Sequence, residues 1–394
     1  MATRSPTLPL LAAALATLAA GGARAAQTPA ATLETLLANS GITASGYLAA
    51  SYYTSSGGNT YHQFDTAHDA FQLDQAGLTL AYQPKQGFGG LIDVIGGNDA
   101  KIVNAAESAS ASSNNPIDLL QGYVQYVQGA FTLEAGKFTT LAGAEVIAPT
   151  GNTNFSRSLL FYAEPMTHTG VRASYALNSV VSVTLGVNNG WNYTSVTSGS
   201  KTVELGVALT PDAAFSLAAQ SYIGNDPIDL ARRTLIDTVA TYNATAALQF
   251  VASYDWGEQR ASHVTLGGQW SGVALYVNYR FSPRWRVSLR GESFDDRNGF
   301  ITGTRQHLKE GTVTFGYDPA TDFELRLEGR YDTSNRPSFL YTSAGGFTQV
   351  SAHQSELAVQ GVYSFLAGAR RAGVRRPAAR RDFTHAPGAR IVLR

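Results

Sequence analysis

Hydrophobic alternation with period two, a strict succession of short and long connections, and sparse charge together predict an all-β fold. They point to a transmembrane antiparallel up-and-down β-barrel of about 16 strands, with a short N-terminal helical segment and a disordered C-terminal tail. Of 394 residues, 44% are hydrophobic and only 15% charged, with 39 Gly, 19 Tyr and 18 Phe. That composition suits many turns and pleated surfaces rather than a large dry core. The chain contains no cysteine, which excludes a disulfide scaffold, a thiolate metal site and a cysteine nucleophile.

Residues 1–25 read as a secretory signal. Arg4 supplies the positive start, Leu8 to Ala20 form an apolar run of 13 residues, and Ala23-Arg24-Ala25 sets the cleavage between Ala25 and Ala26. The run is too short and too Ala-rich for a comfortable membrane anchor, and no other run approaches the roughly 18 apolar residues of a spanning helix. Residues 26–41 form a periplasmic segment with a short helix at Thr32 to Asn39.

The barrel is expected over 42–365. In Phe323 to Tyr331, the residues Phe323, Leu325, Leu327, Gly329 and Tyr331 face one way, and Glu324, Arg326, Glu328 and Arg330 the other. The same alternation runs through Trp285 to Glu292, Thr202 to Leu209 and Val181 to Val187. Successive side chains of a strand point to opposite faces, so each segment has one greasy and one polar side. Short turns fall near Pro84, Gly129, Asn178, Pro211, Asn243, Pro283 and Pro319. Long Gly/Ser/Asn-rich loops lie between them, near 54–70, 97–117, 140–165, 189–200, 224–234, 257–269, 295–306 and 332–354. Aromatic residues gather beside the short turns, among them Tyr82, Phe88, Tyr126, Tyr175, Tyr242, Trp285, Tyr317 and Tyr363. Amphipathic rings settle at a membrane–water boundary. The last strand, Ser355 to Phe365, ends on an aromatic and can pair with the first, Ile42 to Tyr53, so that no edge is left free.

Several stretches resemble the OmpL-like β-barrel porins of Gram-negative bacteria. They are Gly136-Lys137-Phe138, Ala142 to Val146, Asn152 to Leu160, Thr167 to Arg172 and Asn188 to Trp191, with Ser40-Gly41-Ile42 and Ser45-Gly46-Tyr47 at the start. The resemblance implies an outer-membrane pore that passes small polar solutes or ions by diffusion. It carries no catalytic residues and implies no cofactor. The partners that follow are outer-membrane lipid and lipopolysaccharide, the barrel-assembly machinery and small polar solutes; a homo-trimer is allowed but not required. Such barrels usually end at the terminal Phe, yet this chain continues for 29 residues, 366–394, with eight Arg and one acid. Charge at that density with few apolar residues predicts disorder.

The inward face is the candidate functional surface. Its acids are Asp93, Glu134, Glu204, Glu292, Glu324, Glu328 and Glu356, and its bases Arg172, Arg280, Arg286, Arg290, Arg326 and Arg330. Facing ladders of this kind would set a transverse field across a pore; alternatively the charges pair with each other in a solvated interior. The loop 140–165, with Glu145, Arg157 and Glu164 beside Phe161 and Tyr162, is the candidate constriction. The body 26–365 carries 28 acids against 19 bases, which argues against a nucleic-acid partner. The seven His show no ligand-like spacing, so no metal is expected. Asp295, Asp296 and Asn298 before Gly299 read as a polar turn rather than a cation site. The runner-up function is an outer-membrane barrel esterase or phospholipase, for which His168 is the best-placed histidine. A soluble propeller fits less well, because its strands are shorter.

Overall fold

The computed structural model describes residues 37, 39–67, 69–109, 112–342 and 348–367. The expected signal with its Ala25/Ala26 cleavage, nearly all of the Thr32–Asn39 helix and the Arg-rich part of the tail lie outside these residues.

Sixteen antiparallel strands close into one barrel. The first half comprises β1 (Thr43–Ser55), β2 (Ala70–Tyr82), β3 (Gly87–Gly96), β4 (Ile117–Gln128), β5 (Phe131–Thr139), β6 (Thr167–Ala176), β7 (Val181–Asn188) and β8 (Thr202–Leu209). The second comprises β9 (Phe215–Asn225), β10 (Arg232–Asn243), β11 (Leu248–Gln259), β12 (Gly268–Tyr279), β13 (Trp285–Asp296), β14 (Gln306–Ala320), β15 (Phe323–Ser334) and, after a small hairpin, β18 (His353–Ala367). Each strand pairs with its sequence neighbour, and β18 returns to β1 with Tyr363 opposite Leu48 and Val359 opposite Tyr52. Closure leaves no unpaired backbone edge. The closing strand continues two residues beyond the expected Phe365, with Leu366 opposite Ser45.

Alternation sorts the faces as the sequence predicts. On β15, Leu325, Leu327 and Tyr331 are 39–51% exposed outside, while Glu324, Arg326, Glu328 and Arg330 are at most 3% exposed inside. Beside the short turns, Trp285 stacks on Tyr317 with centroids 4.4 Å apart and Phe88 lies 4.8 Å from Tyr126.

Besides the connection after β5, described below, two long connections carry structure of their own. The connection after β3 contains helix α1 (Asn98–Glu107), and the one after β15 contains the two-stranded hairpin β16 (Phe339–Thr342) and β17 (Thr348–Ser351). The interior holds small dry clusters among its polar groups. Trp270, Ala274, Phe294 and Leu308 point inward and pack on Leu159 and Leu160 of a loop, and Ile95 and Leu120 pack on Val103 of α1, Phe161 and Met166. Trp270 lies so close over Gly257 that a Cβ there would come within 2.0 Å of its ring. The bare backbone makes room for the indole.

Candidate functional site

The loop between β5 and β6, residues 140–166, runs into the barrel. It has one 3₁₀ turn (Pro149–Gly151) and one short helix, α2 (Leu159–Tyr162), capped by the Ser158 side chain accepting from the Phe161 N–H at 3.0 Å. Irregular backbone inside a barrel must find partners for its N–H and C=O groups. Here the wall provides them. Glu328 accepts from the N–H groups of Phe155 (2.6 Å) and Ser156 (2.8 Å), and Glu292 from that of Leu159 (2.9 Å). Arg326 donates to the carbonyls of Asn152 (2.9 Å) and Pro149 (3.0 Å), Arg290 to Ser156 (2.8 Å), and Arg330 to Arg157 (2.6 Å). Acids thus take the loop's donors, and arginines its acceptors.

The same charges pair with one another. Arg290 lies 2.8 Å from Glu145 of the loop, 3.2 Å from Glu310 and 3.3 Å from Glu292. Glu324 bridges Arg286 (2.6 Å) and Arg326 (3.0 Å), and Arg330 pairs with Asp332 at 2.9 Å. On the opposite side Arg172 pairs with Glu204 at 2.9 Å, with Glu134 3.9 Å away, and lies over the Phe138 ring at 4.0 Å. Asp93 accepts from Thr79 and Gln121. Arg157 turns away from the charged wall, donating to the carbonyls of Val146, Phe155 and Ile147 between the rings of Phe64 and Phe161. Arg280, expected on the inward face, stands off the strand. It lies beyond the end of β12, at a short turn, bonded to Asp318 at 2.9 Å, because the strand stops at Tyr279.

The loop's far end meets a different wall. Glu164, Asp237 of β10 and Asp255 of β11 bring carboxylate oxygens within 4.8 Å of one another, all buried. Burial, then the charge of Asp237, holds the Glu164 carboxyl well above the ordinary carboxylate range. Asp237 accepts from the Gly143 N–H at 3.0 Å. Gly143 has φ +82°, and a Cβ there would strike the Glu164 carboxylate. Glycine suits both demands.

Loop 56–69 forms a second knot. His62 bonds Asp65 at 2.5 Å and Asp332 at 3.0 Å, and Asn59 donates to Glu356. Burial and Arg330 oppose the imidazolium, but Asp65 and Asp332 outweigh them and raise the His62 pKa. Despite its burial, Asp65 is brought down to about 2 by His62. Histidine spacing could not reveal this knot, because His62 meets not a second histidine but Asp65 nearby and Asp332 and Glu356 from β15 and β18, far along the chain.

Catalytic geometry is weaker. His168 is buried, stacked on Tyr222 at 4.8 Å and bonded to the Gly190 carbonyl, with no serine as its partner among the described residues. Ser293 lies 3.2 Å from His307 on neighbouring strands, but no described carboxylate forms an ion pair with that histidine to orient it. Asp296 organises the turn after it by accepting from the N–H groups of Phe300, Ile301 and Thr302, which accounts for the Asp-Asp-x-Asn run as a turn.

No curated protein matches the chain in sequence. In fold it is similar to an anion-selective porin from Comamonas acidovorans, with TM-score 0.57 and 10% identity over 82% of this chain and 99% of that one. It is also similar to OprB of Pseudomonas putida in a high-pH structure, with TM-score 0.57 and 13% identity over 84% and 96% of the two chains. OmpT of Vibrio cholerae, in an in-vitro folded trimer form, gives TM-score 0.53 and 10% identity over 82% and 99%. Residues 41–365 match the family described as "Putative beta-barrel porin-2, OmpL-like". With that match covering most of the sequence and the sixteen-stranded barrel beneath it, the chain belongs to this family of porins of the bacterial outer membrane.

Proposed function

We propose that this porin is a narrow diffusion channel, non-enzymatic, in which loop 140–166 sets the constriction for small polar solutes or ions. The observation that carries this reading is the reciprocal grip of wall and loop, arginines on carbonyls and glutamates on N–H groups. A loop held this way narrows the lumen of a barrel whose sixteen strands would otherwise leave it wide. Beside the loop lies a cavity of about 50 Å³, lined by Thr153 from the loop and by Thr241, Gln249 and Asn278 from the wall. Val239, Val251 and Tyr276 also line it, so polar groups face apolar ones across a space the size of a few waters. Arg290, Arg326 and Arg330 are then anchors first, and act on permeating charge only through the loop they hold, while Arg286 is neutralised by Glu324. The trimer form of Vibrio cholerae OmpT supports a homo-trimer here, which native mass spectrometry in detergent tests.

Planar-bilayer recording of the purified protein tests the channel. Small discrete conductance steps are expected, with no hydrolysis of a lipid ester by the same sample. Ester hydrolysis without conductance would replace the pore by an enzyme.

A further inference from the structure

Asp237 and Asp255 stand directly opposite each other across β10 and β11. Like charges in that position destabilise a strand pair. Glu164 adds a third carboxylate from the inward loop, and among the described residues no Lys, Arg or His forms an ion pair with any of the three. Asp255 is fully buried, and neither of its carboxylate oxygens has a hydrogen-bond donor. Asp237 Oδ2 and Glu164 Oε2 are also buried and unpartnered. Acceptors left this way in a dry site are costly, and most so when charged.

The same barrel shows how such a conflict is resolved elsewhere. Glu292 and Glu310 oppose each other across β13 and β14 in the same manner, and Arg290 sits between them, within 3.3 Å of both. At the Asp237–Asp255 pair no basic side chain of the described residues takes the place of Arg290.

We propose that Glu164, Asp237 and Asp255 form a binding site for a divalent cation, Ca²⁺, which fastens the end of loop 140–166 to the β10–β11 wall. The donor set is all carboxylate oxygen, which suits a hard cation and not a soft transition metal. Three carboxylates, each able to bind through one or two oxygens, approach the roughly 6–8 ligands that Ca²⁺ takes. Two ligands come from the wall and one from the loop, so the ion is a staple between them.

The test uses the full chain, refolded into lipopolysaccharide-free detergent, stripped with EDTA and titrated calorimetrically with CaCl₂. One Ca²⁺ per chain is expected, with a Kd at or below about 10⁻⁴ M. Asp255→Asn should weaken binding at least ~10-fold by removing a charged ligand. Glu164→Gln should do the same, and strand pairing does not depend on that loop residue. A heat-dependent gel shift confirms that each sample is a closed barrel. Absence of binding by the folded wild type at millimolar Ca²⁺ would overturn the site in favour of carboxyls that share protons. Unchanged binding in both variants would overturn it by placing the cation elsewhere. Cation binding and conductance are separate readouts, so failure of one leaves the other standing.

Discussion

Glu292 opposite Glu310 and Asp237 opposite Asp255 are the same arrangement on two sides of one loop. The first pair is bridged by Arg290, which also reaches Glu145 and the Ser156 carbonyl. Among the described residues the second has no base, only the further acid Glu164. The two sides hold one loop by opposite means. The β13–β15 wall grips it with compensated charge, and the β10–β11 wall meets it with charge that still needs a partner. A buried ion pair is fragile to the loss of one member, whereas a buried like-charge pair gains from it.

Substitutions separate the two sides by sign. The largest effect is expected from Arg290→Met, which strands Glu145, Glu292 and Glu310. Breaking a buried pair costs about 3–5 kcal/mol, so the heat-dependent gel shift should move to a clearly lower temperature and single-channel conductance should rise as the loop loosens. A thermal shift indistinguishable from wild type would remove Arg290 as the loop's main anchor. Asp237→Asn, measured in EDTA, should act the other way. It relieves the repulsion across β10–β11 and should stabilise the barrel by about 1–2 kcal/mol, read in the same gel assay. Destabilisation in EDTA would mean that the Asp237 contact to Gly143 outweighs the repulsion.

A smaller effect is expected at the knot of loop 56–69, where unlike charges again face one another. The His62 pKa is raised above its ordinary 6.5, so its contribution is complete below about 6.5 and lost as pH climbs through the raised value. Asp65 is lowered from 3.8 to about 2, so its contribution is present above 3.8 and lost only as pH falls through about 2. The loop should be docked most firmly between those limits. Hydrogen exchange in residues 56–67, corrected for its intrinsic pH dependence, should therefore speed up several-fold on passing to alkaline pH. A flat profile would show that His62 does not hold the loop.

The strands and turns were legible because period two writes the barrel wall directly into the sequence. Trp285 to Glu292 alternates outward and buried as its residues alternate apolar and polar. The loop's path was less legible. Its Glu145, Arg157 and Glu164 were candidates, but nothing local to 140–165 says that Arg326 and Glu328, far along the chain, would take its carbonyls and N–H groups. Inner-face apolar residues such as Trp270 and Leu235 break the simple greasy-out rule where loops fill the barrel, and the composition does not register so local an exception. The acidic trio escaped because its members come from three segments, 164, 237 and 255. Only the β10–β11 register sets two of them opposite each other. Glu310 and Asp332 were missed for a similar reason: each completes an ion pair whose arginine was visible but whose geometry was not.

The most direct test of the constriction uses the absence of cysteine in the chain. Thr153 lines the cavity beside the inward loop, so Thr153→Cys places a single thiol at the proposed constriction. In planar bilayers, a cationic thiol reagent should leave wild-type conductance unchanged and reduce that of the variant by at least about half, since one bulky adduct occupies a large part of a narrow pore. Open variant channels whose conductance the reagent does not alter would contradict the account, because the current would then bypass the loop.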